Sequence, residues 1–496
     1  MLHYTDKVYI QRKQAQPPEI IRKLPTDNGQ HPLGSTYRMQ YPIDLDAVGY
    51  VEEEYYIAGT INQYNWPKGD PRPSILYEGV PYATRVLVRK PADPNKFSGF
   101  VCTELLNGSA QLDYGPIWSL CWERIIADGD GWIAFSSMKS SMELLKKYDP
   151  ERYGDIGFPN PVPPEERTDF TVNPSYAAET IRLRGNVPML LRDTTFDFGL
   201  SMDVWPQLSA WVRRCQPGDP FCGYEVKKVF IDSVFDGNGF IGGLHPYYSG
   251  PDDSPIFDGY IMFMMGSGGM YNRENPEFSR DDPRCRITVD VPVIKLKHAG
   301  DMRNTPPHRL WSVMWRCEDG DEPGHQMRWY EVPGVAIKYV HNADRPPYSC
   351  LADYEALDIQ PPQVTESQYD CLMSRYMQMG AYENLKNWML GTVPPRGDRL
   401  NMTGQYPSFD FIYDDNGNQT GGIRNPYVDV PLATYVDDGT IIPFSKEKRD
   451  SLYASKEDYV LRVAASAWKM VKDGWIPREG AMAIIEQARR IDWDKI

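Results

Sequence analysis

The chain reads as an α/β protein: a mixed, mostly parallel sheet with helices on both faces. Three observations predict it. Short apolar runs at 100–106, 131–137, 227–231, 259–265 and 291–297 lack the strict alternation of half-exposed strands, which suits strands buried on both faces. Helical patterns separate several of them, as in an α/β layer architecture. The strands that come first look hairpin-like, which makes the sheet mixed.

Residues 1–55 are polar and interrupted by prolines, and are expected to form a surface arm. Strands follow at 54–61 and 82–89, the second alternating as a half-exposed strand does. A Pro- and Gly-containing turn leads into the buried strand 100–106, then come a helix over 118–128, the strand 131–137 and a helix over 142–147. After a loop over 154–164, a helix near 205–214 precedes the strand at 227. The last strand of the series is 328–332, and amphipathic helices are expected over 369–390 and 458–473. No internal repeat is present. The resulting division is an arm (1–55) and one domain (56–496). That domain carries lid insertions at about 266–290 and about 302–326, and a C-terminal extension from about 370 to 496.

Composition narrows the partners. A net charge of −15 argues against nucleic acid or an anionic membrane surface. The N-terminus lacks the apolar core of a signal peptide, and no stretch approaches the roughly 20 apolar residues of a membrane span. A soluble, cytoplasmic protein is expected, with its eight cysteines reduced. Cys215 and Cys222 are close enough to close a small loop, and Cys350 with Cys371 a longer one. The seven histidines occur singly, without metal-ligand spacing, so no metal and no cofactor are expected.

The richest stretch is 227–246: an apolar strand, a sharp turn expected at Asp232-Ser233, then a Gly-rich helix. A strand–turn–helix of this kind can present a serine oxygen above a sheet. Ile231 and Phe235 stand where such an elbow ordinarily has small residues. A buried strand ending in an ordinary Asp-Ser turn fits the same residues. His245-Pro246 reads as structural, and Gly266-Ser-Gly-Gly269 as a turn, since it lacks the Lys-Ser/Thr of a phosphate loop.

Several longer segments then line up. They are Pro81 to Pro94, Glu104-Leu-Leu-Asn107 with Trp118, Tyr148 to Gly154, Val291-Pro-Val-Ile with Asp301, Glu331-Val-Pro-Gly, Gly421 to Thr434 and Asp458-Tyr-Val. In these the chain resembles the large α/β-hydrolase-domain family, over residues from about 50 to about 475. The resemblance implies the α/β-hydrolase fold and places the nucleophile at Ser233. It selects Asp301, after the strand 291–297, as the acid. It puts the histidine shortly after Glu331-Val-Pro-Gly: His341 is favoured, with His325 and His298 in reserve.

A serine needs a histidine to take its proton, and that histidine needs a carboxylate to hold its tautomer. An oxyanion hole needs two N–H donors, expected from Val234 and from the loop at Asn107-Gly108. The expected activity is that of a serine hydrolase cleaving a carboxylic ester or lactone of a hydrophobic or aromatic small molecule through an acyl-enzyme. The rivals are a small-molecule binding protein on the same fold and a non-hydrolytic lyase or isomerase. Homo-oligomerisation stays open.

Overall fold

The structure, a computed structural model, describes residues 8–26, 31–39, 42–67, 69–70, 72–108, 112–167, 195, 198–234, 237–263, 287, 289–303, 316–335, 351–358, 372–405, 408–437 and 440–495. The chain divides into two compact units. The first comprises 1–260, 267–291 and 348–362; the second comprises 261–266, 292–347 and 363–496.

The strands of the first unit are β1 (Val8–Tyr9), β2 (Lys13–Gln14), β3 (Glu19–Leu24), β4 (Tyr50–Asn65), β5 (Ser74–Pro91), β6 (Phe100–Leu105), β7 (Gly131–Phe135), β8 (Lys228–Val234) and β9 (Tyr248–Ser249). β4 and β5 form a long antiparallel hairpin running from Tyr50 opposite Pro91 to Asn65 opposite Ser74. They are rich in aromatic and β-branched residues, which pack well on a pleated surface. β6, β7 and β8 are parallel, and the strands run in the order β8–β6–β7–β5–β4–β3. The N-terminal stretch is more than a surface arm: β1 pairs with β5, β2 with β9 and β3 with β4.

Helix α1 (Pro116–Asp128) has proline at its first position, where the missing N–H costs nothing, and ends at the left-handed Gly129. It packs against β7 and β8. The other helices of this unit include α2 (Lys139–Tyr148), α3 (Pro150–Tyr153), α4 (Val204–Arg213) and α5 (Gly237–Gly243).

The sequence expectation for β5 fails in one respect. From Arg85 to Pro91 the strand is buried on both faces, not half-exposed. Its alternating charges are buried because each is paired. Arg85 donates to Glu54 at 3.2 Å and to Asp113 at 3.3 Å, and its Nε donates to Ser136 Oγ at 2.9 Å. Arg89 donates to Glu52 at 2.8 Å and lies 4.4 Å and 4.5 Å from the ring centres of Trp118 and Trp132. Glu54 also accepts from Arg152 Nε at 2.8 Å and from the Tyr153 hydroxyl at 2.8 Å. The Arg85 and Arg89 guanidiniums additionally donate to the carbonyls of Leu33 and Gly34.

The second unit holds β10 (Tyr260–Phe263, of which Tyr260 closes the first unit), β11 (Val293–His298), β12 (Gly320–Glu322) and β13 (His325–Val332), in the order β12–β13–β11–β10. β11 and β13 are parallel, from Val293 opposite Met327 to His298 opposite Val332. β12, inside the stretch assigned to a lid, is a hairpin partner of β13. Helix α6 (Ala299–Arg303) follows β11, and α7 (Leu372–Met389) packs against β11. α7 is buried nearly all round, so its expected polar face is absent.

The C-terminal part adds two small hairpins, β14 (Met402–Gln405) with β15 (Ser408–Phe411) and β16 (Ala433–Tyr435) with β17 (Ile441–Pro443). It also adds α8 (Pro426–Asp429), α9 (Lys446–Leu452), α10 (Lys456–Lys472) and α11 (Arg478–Arg490). Ser455 caps α10 by accepting from Asp458 N, while Asp458 accepts from Ala454 N, a reciprocal arrangement that satisfies otherwise orphaned donors.

Removing one partner of a buried ion pair strands the other. Glu54→Gln is therefore expected to lower unfolding stability by about 3–5 kcal/mol, read from urea unfolding of the two proteins.

Candidate active site

On the first unit, β8 carries Asp232 and Ser233 just before its last residue, and helix α5 opens at Gly237. The strand therefore continues through Val234, where the sequence suggested a turn at Asp232-Ser233. Ile231 fits because it is still sheet: its N–H donates to Gly259 O at 3.1 Å and its side chain is fully buried. Phe235 lies outside the described residues. Ser233 is fully buried, and its Oγ has no hydrogen-bond partner among the described residues.

Of the expected oxyanion donors, Val234 stands at the end of β8, one residue past Ser233. The Asn107 N–H donates to Tyr114 O at 2.9 Å, and Tyr114 N returns a bond to Asn107 O at 3.3 Å, so this backbone pair braces the loop. Gly108 is there for close approach: a Cβ would lie 2.8 Å from Ser141 Oγ and 2.9 Å from Met138 Cβ, at the start of α2.

Glu104, one residue before the end of β6, stands out in the sequence only as part of Glu104-Leu-Leu-Asn107. It is fully buried and accepts from Ile117 N at 2.7 Å, Trp118 N at 3.1 Å and Trp132 Nε1 at 2.8 Å. A carboxylate at the N-terminus of α1 meets that helix's free N–H groups and its positive dipole end. This anchors α1 beside the strand end from which the Asn107-Gly108 loop leaves. Burial pushes the carboxyl up to about 8, against the three donors and Arg89, which pull it down.

On the second unit, β11 ends at His298 and Asp301 lies in α6 directly after it. Gly300 N donates to Val335 O at 2.9 Å, which ties the acid-bearing helix to the segment leaving β13. His341 lies six residues beyond Val335, outside the described residues. His298 is buried, its ring edge-on to Phe263 at 5.1 Å. His325 drops out of contention. It opens β13, about 23 Å from the Val332 end at ~3.3 Å per residue, and is exposed with Nε2 near Glu318 O.

The end of β13 is clamped. Glu331 accepts from Arg316 Nε and Nη2, each at 2.7 Å, from Trp329 Nε1 at 2.7 Å and from Leu400 N at 2.6 Å. Its carbonyl accepts from Ile423 N at 2.7 Å, so the 421–434 segment closes over Glu331-Val-Pro-Gly334. Gly334 N donates to Gln419 Oε1, and Asn425 Nδ2 donates to Pro333 O. Gly422 has φ +68°, and a Cβ there would lie 2.8 Å from Glu331 O, so only glycine fits.

His245 is structural, as expected from the sequence. It bridges the Tyr260 hydroxyl at 2.5 Å and Asp290 at 3.1 Å within the first unit. A groove of about 450 Å³ lined by Tyr82, Phe158, Lys139 and Lys146 involves none of the expected site residues.

A parallel strand of the first unit with a serine near its carboxyl end, and one of the second unit followed by a carboxylate-bearing helix, belong to an α/β scaffold. The chain belongs to the alpha/beta hydrolase domain family, whose model matches residues 15–486. Among solved structures it is similar to Thermogutta terrifontis esterase 2 phosphorylated by paraoxon, at 15% identity over 55% of this chain and 85% of that one, with a TM-score of 0.30. The glucuronoyl esterase from Solibacter usitatus matches at 10% identity over 66% of this chain and 83% of the other, with a TM-score of 0.30. Esterase Est22 matches at 12% identity over 63% and 82% of the two chains, with a TM-score of 0.28. No curated protein matches the chain. Among the described residues no group of acidic, histidine or cysteine side chains could hold a metal ion, and no helix is long and apolar enough to cross a membrane.

The clamp at β13 and the anchor of α1 are each open to measurement. Gly422→Ala should lower unfolding stability by about 1–3 kcal/mol and speed amide exchange at Leu400 and Ile423, read by hydrogen–deuterium exchange mass spectrometry. For Glu104, the folded carboxyl holds its proton more tightly than the unfolded one, so the folded state binds more protons between 4.5 and about 8. Stability should therefore fall as pH rises through that window and level off above it. Urea midpoints from about pH 5 to about pH 9 should show this slope in the wild type and lose it in Glu104→Gln.

Proposed function

We propose that the protein is a serine hydrolase that cleaves a carboxylic ester or lactone of a hydrophobic or aromatic small molecule. One observation carries this reading. Ser233 near the carboxyl end of β8, Asp301 after β11 and His341 after β13 stand in the chain order of the α/β-hydrolase triad. Family membership over residues 15–486 supports it.

In this reading His341 accepts the Ser233 proton as the oxygen attacks the carbonyl carbon, and Asp301 holds the imidazole in the required tautomer. The developing oxyanion takes the Val234 N–H and a second donor from the loop beyond Asn107. The leaving alcohol departs with the proton returned by His341, giving a Ser233 ester. Water, deprotonated by the same histidine, then releases the acid. The reading needs no cofactor.

The full burial of Ser233 favours a second reading, in which the scaffold binds a small molecule, or performs acid–base elimination or isomerisation, without a covalent serine step.

A fluorophosphonate probe separates the two. The wild type should gain one adduct by intact mass, and Ser233→Ala none. On p-nitrophenyl esters Ser233→Ala should lose roughly four to six orders of magnitude in kcat, and Asp301→Asn about ten-thousand-fold. An unlabelled, folded wild type, or turnover that survives Ser233→Ala, would sink the hydrolase reading.

A further inference from the structure

Cys215 and Cys222 stand at the two ends of one surface loop of the first unit, with their sulfur atoms 2.8 Å apart and both thiols free. The loop follows α4 and is pinned from inside by Asp219. That carboxylate accepts from Trp211 Nε1 at 2.9 Å, from Arg214 Nε at 2.8 Å and Nη2 at 2.6 Å, and from Gln216 N at 2.9 Å. The far end is held as well: Phe221 is buried, and the Pro220 carbonyl accepts from Lys90 Nζ. Both cysteines thus leave anchored backbone with their sulfurs in contact. Cys215 is exposed and Cys222 partly so, whereas Cys102 and Cys121 are buried.

We propose that Cys215 and Cys222 form a thiol–disulfide exchange site that closes to an intramolecular disulfide on reaction with a low-molecular-weight disulfide. The two thiols have different roles. Either S–H can donate to the other sulfur; with Cys222 as the donor, the Cys215 thiol falls below its ordinary range and Cys222 rises above it.

Cys215, the more exposed of the two, reacts first, as thiolate. It forms a bond to one sulfur of the small disulfide and expels the other as a thiolate, which takes a proton. Cys222 then loses its proton, attacks the Cys215 sulfur, breaks the mixed disulfide and releases the second small thiol. Two protein thiols are oxidised and one small disulfide is reduced to two thiols, so no further co-reactant is required. The site uses none of the residues proposed for hydrolysis and stands or falls separately.

The test equilibrates reduced, full-length protein with graded mixtures of reduced and oxidised glutathione, quenches with an alkylating reagent, and maps the cysteines by peptide mass spectrometry. The expected result is a cross-linked peptide pairing residues 215 and 222, lighter by two hydrogens and reopened by dithiothreitol. Cys222→Ser should instead accumulate glutathione on Cys215, and Cys215→Ser should acquire it on Cys222 about tenfold more slowly. Wild type that keeps both thiols alkylatable in the oxidising mixtures overturns the proposal. So does a reaction halting at the mixed disulfide, or a pairing of either residue with another cysteine. The wild-type map needs no substitution, so a variant that misfolds does not decide the outcome.

Discussion

The constraint on which the first unit depends is the burial of two arginines in β5. Taking a guanidinium out of water costs several kcal/mol, and only a complete set of acceptors offsets that. Arg85 and Arg89 obtain theirs from Glu52 and Glu54 on the paired strand, from Asp113, from Ser136 past the end of β7, and from the carbonyls of Leu33 and Gly34. Glu54 in turn needs Arg152 and Tyr153. One electrostatic demand therefore places the N-terminal segment, the β4–β5 hairpin, the loop after β6 and helix α3. A hydrophobic core of equal volume could supply comparable stability, but a fork of N–H donors accepts far fewer arrangements of its neighbours.

The second unit solves a related problem with a single carboxylate. Glu331 is fully buried and is satisfied by donors from three separate stretches: Arg316, Trp329 and Leu400. The 421–434 segment completes the clamp through backbone bonds and a glycine that the Glu331 carbonyl leaves no room to replace. Because Val335 lies just beyond this clamp and accepts from Gly300, the same packing holds the helix that carries Asp301. The motif residues that are easiest to pick out in this chain are, for the most part, those that build such supports.

The parallel strands were legible because buried strands are continuous apolar runs, and β6, β7, β8, β11 and β13 lie within a few residues of their expected positions. Helices α1, α4 and α10 were legible from their period and their flanking proline, glycine or serine. Other features were not. The alternation of β5 looked half-exposed because a charge reads as solvent-facing unless its partner is known. A turn looked due at Asp232-Ser233 because both residues favour turns, whereas β8 runs on through Val234. Nothing local shows that the Asn107 backbone pairs with Tyr114. β12 is too short to show a period, and it exists through pairing with β13.

By itself, the sequence determined the class of fold, the places of its parallel strands, and the short spacing of Cys215 and Cys222. These depend on periodicity and spacing, which are properties of short windows of chain. Only the tertiary structure decided which charges are buried, which backbone donors are already spent and where each strand ends. Those outcomes rest on hydrogen bonds and ion pairs between residues far apart in the chain, such as Glu54 with Arg152 or Glu331 with Leu400. A buried polar group is stable only when such a partner arrives, and the fold brings it.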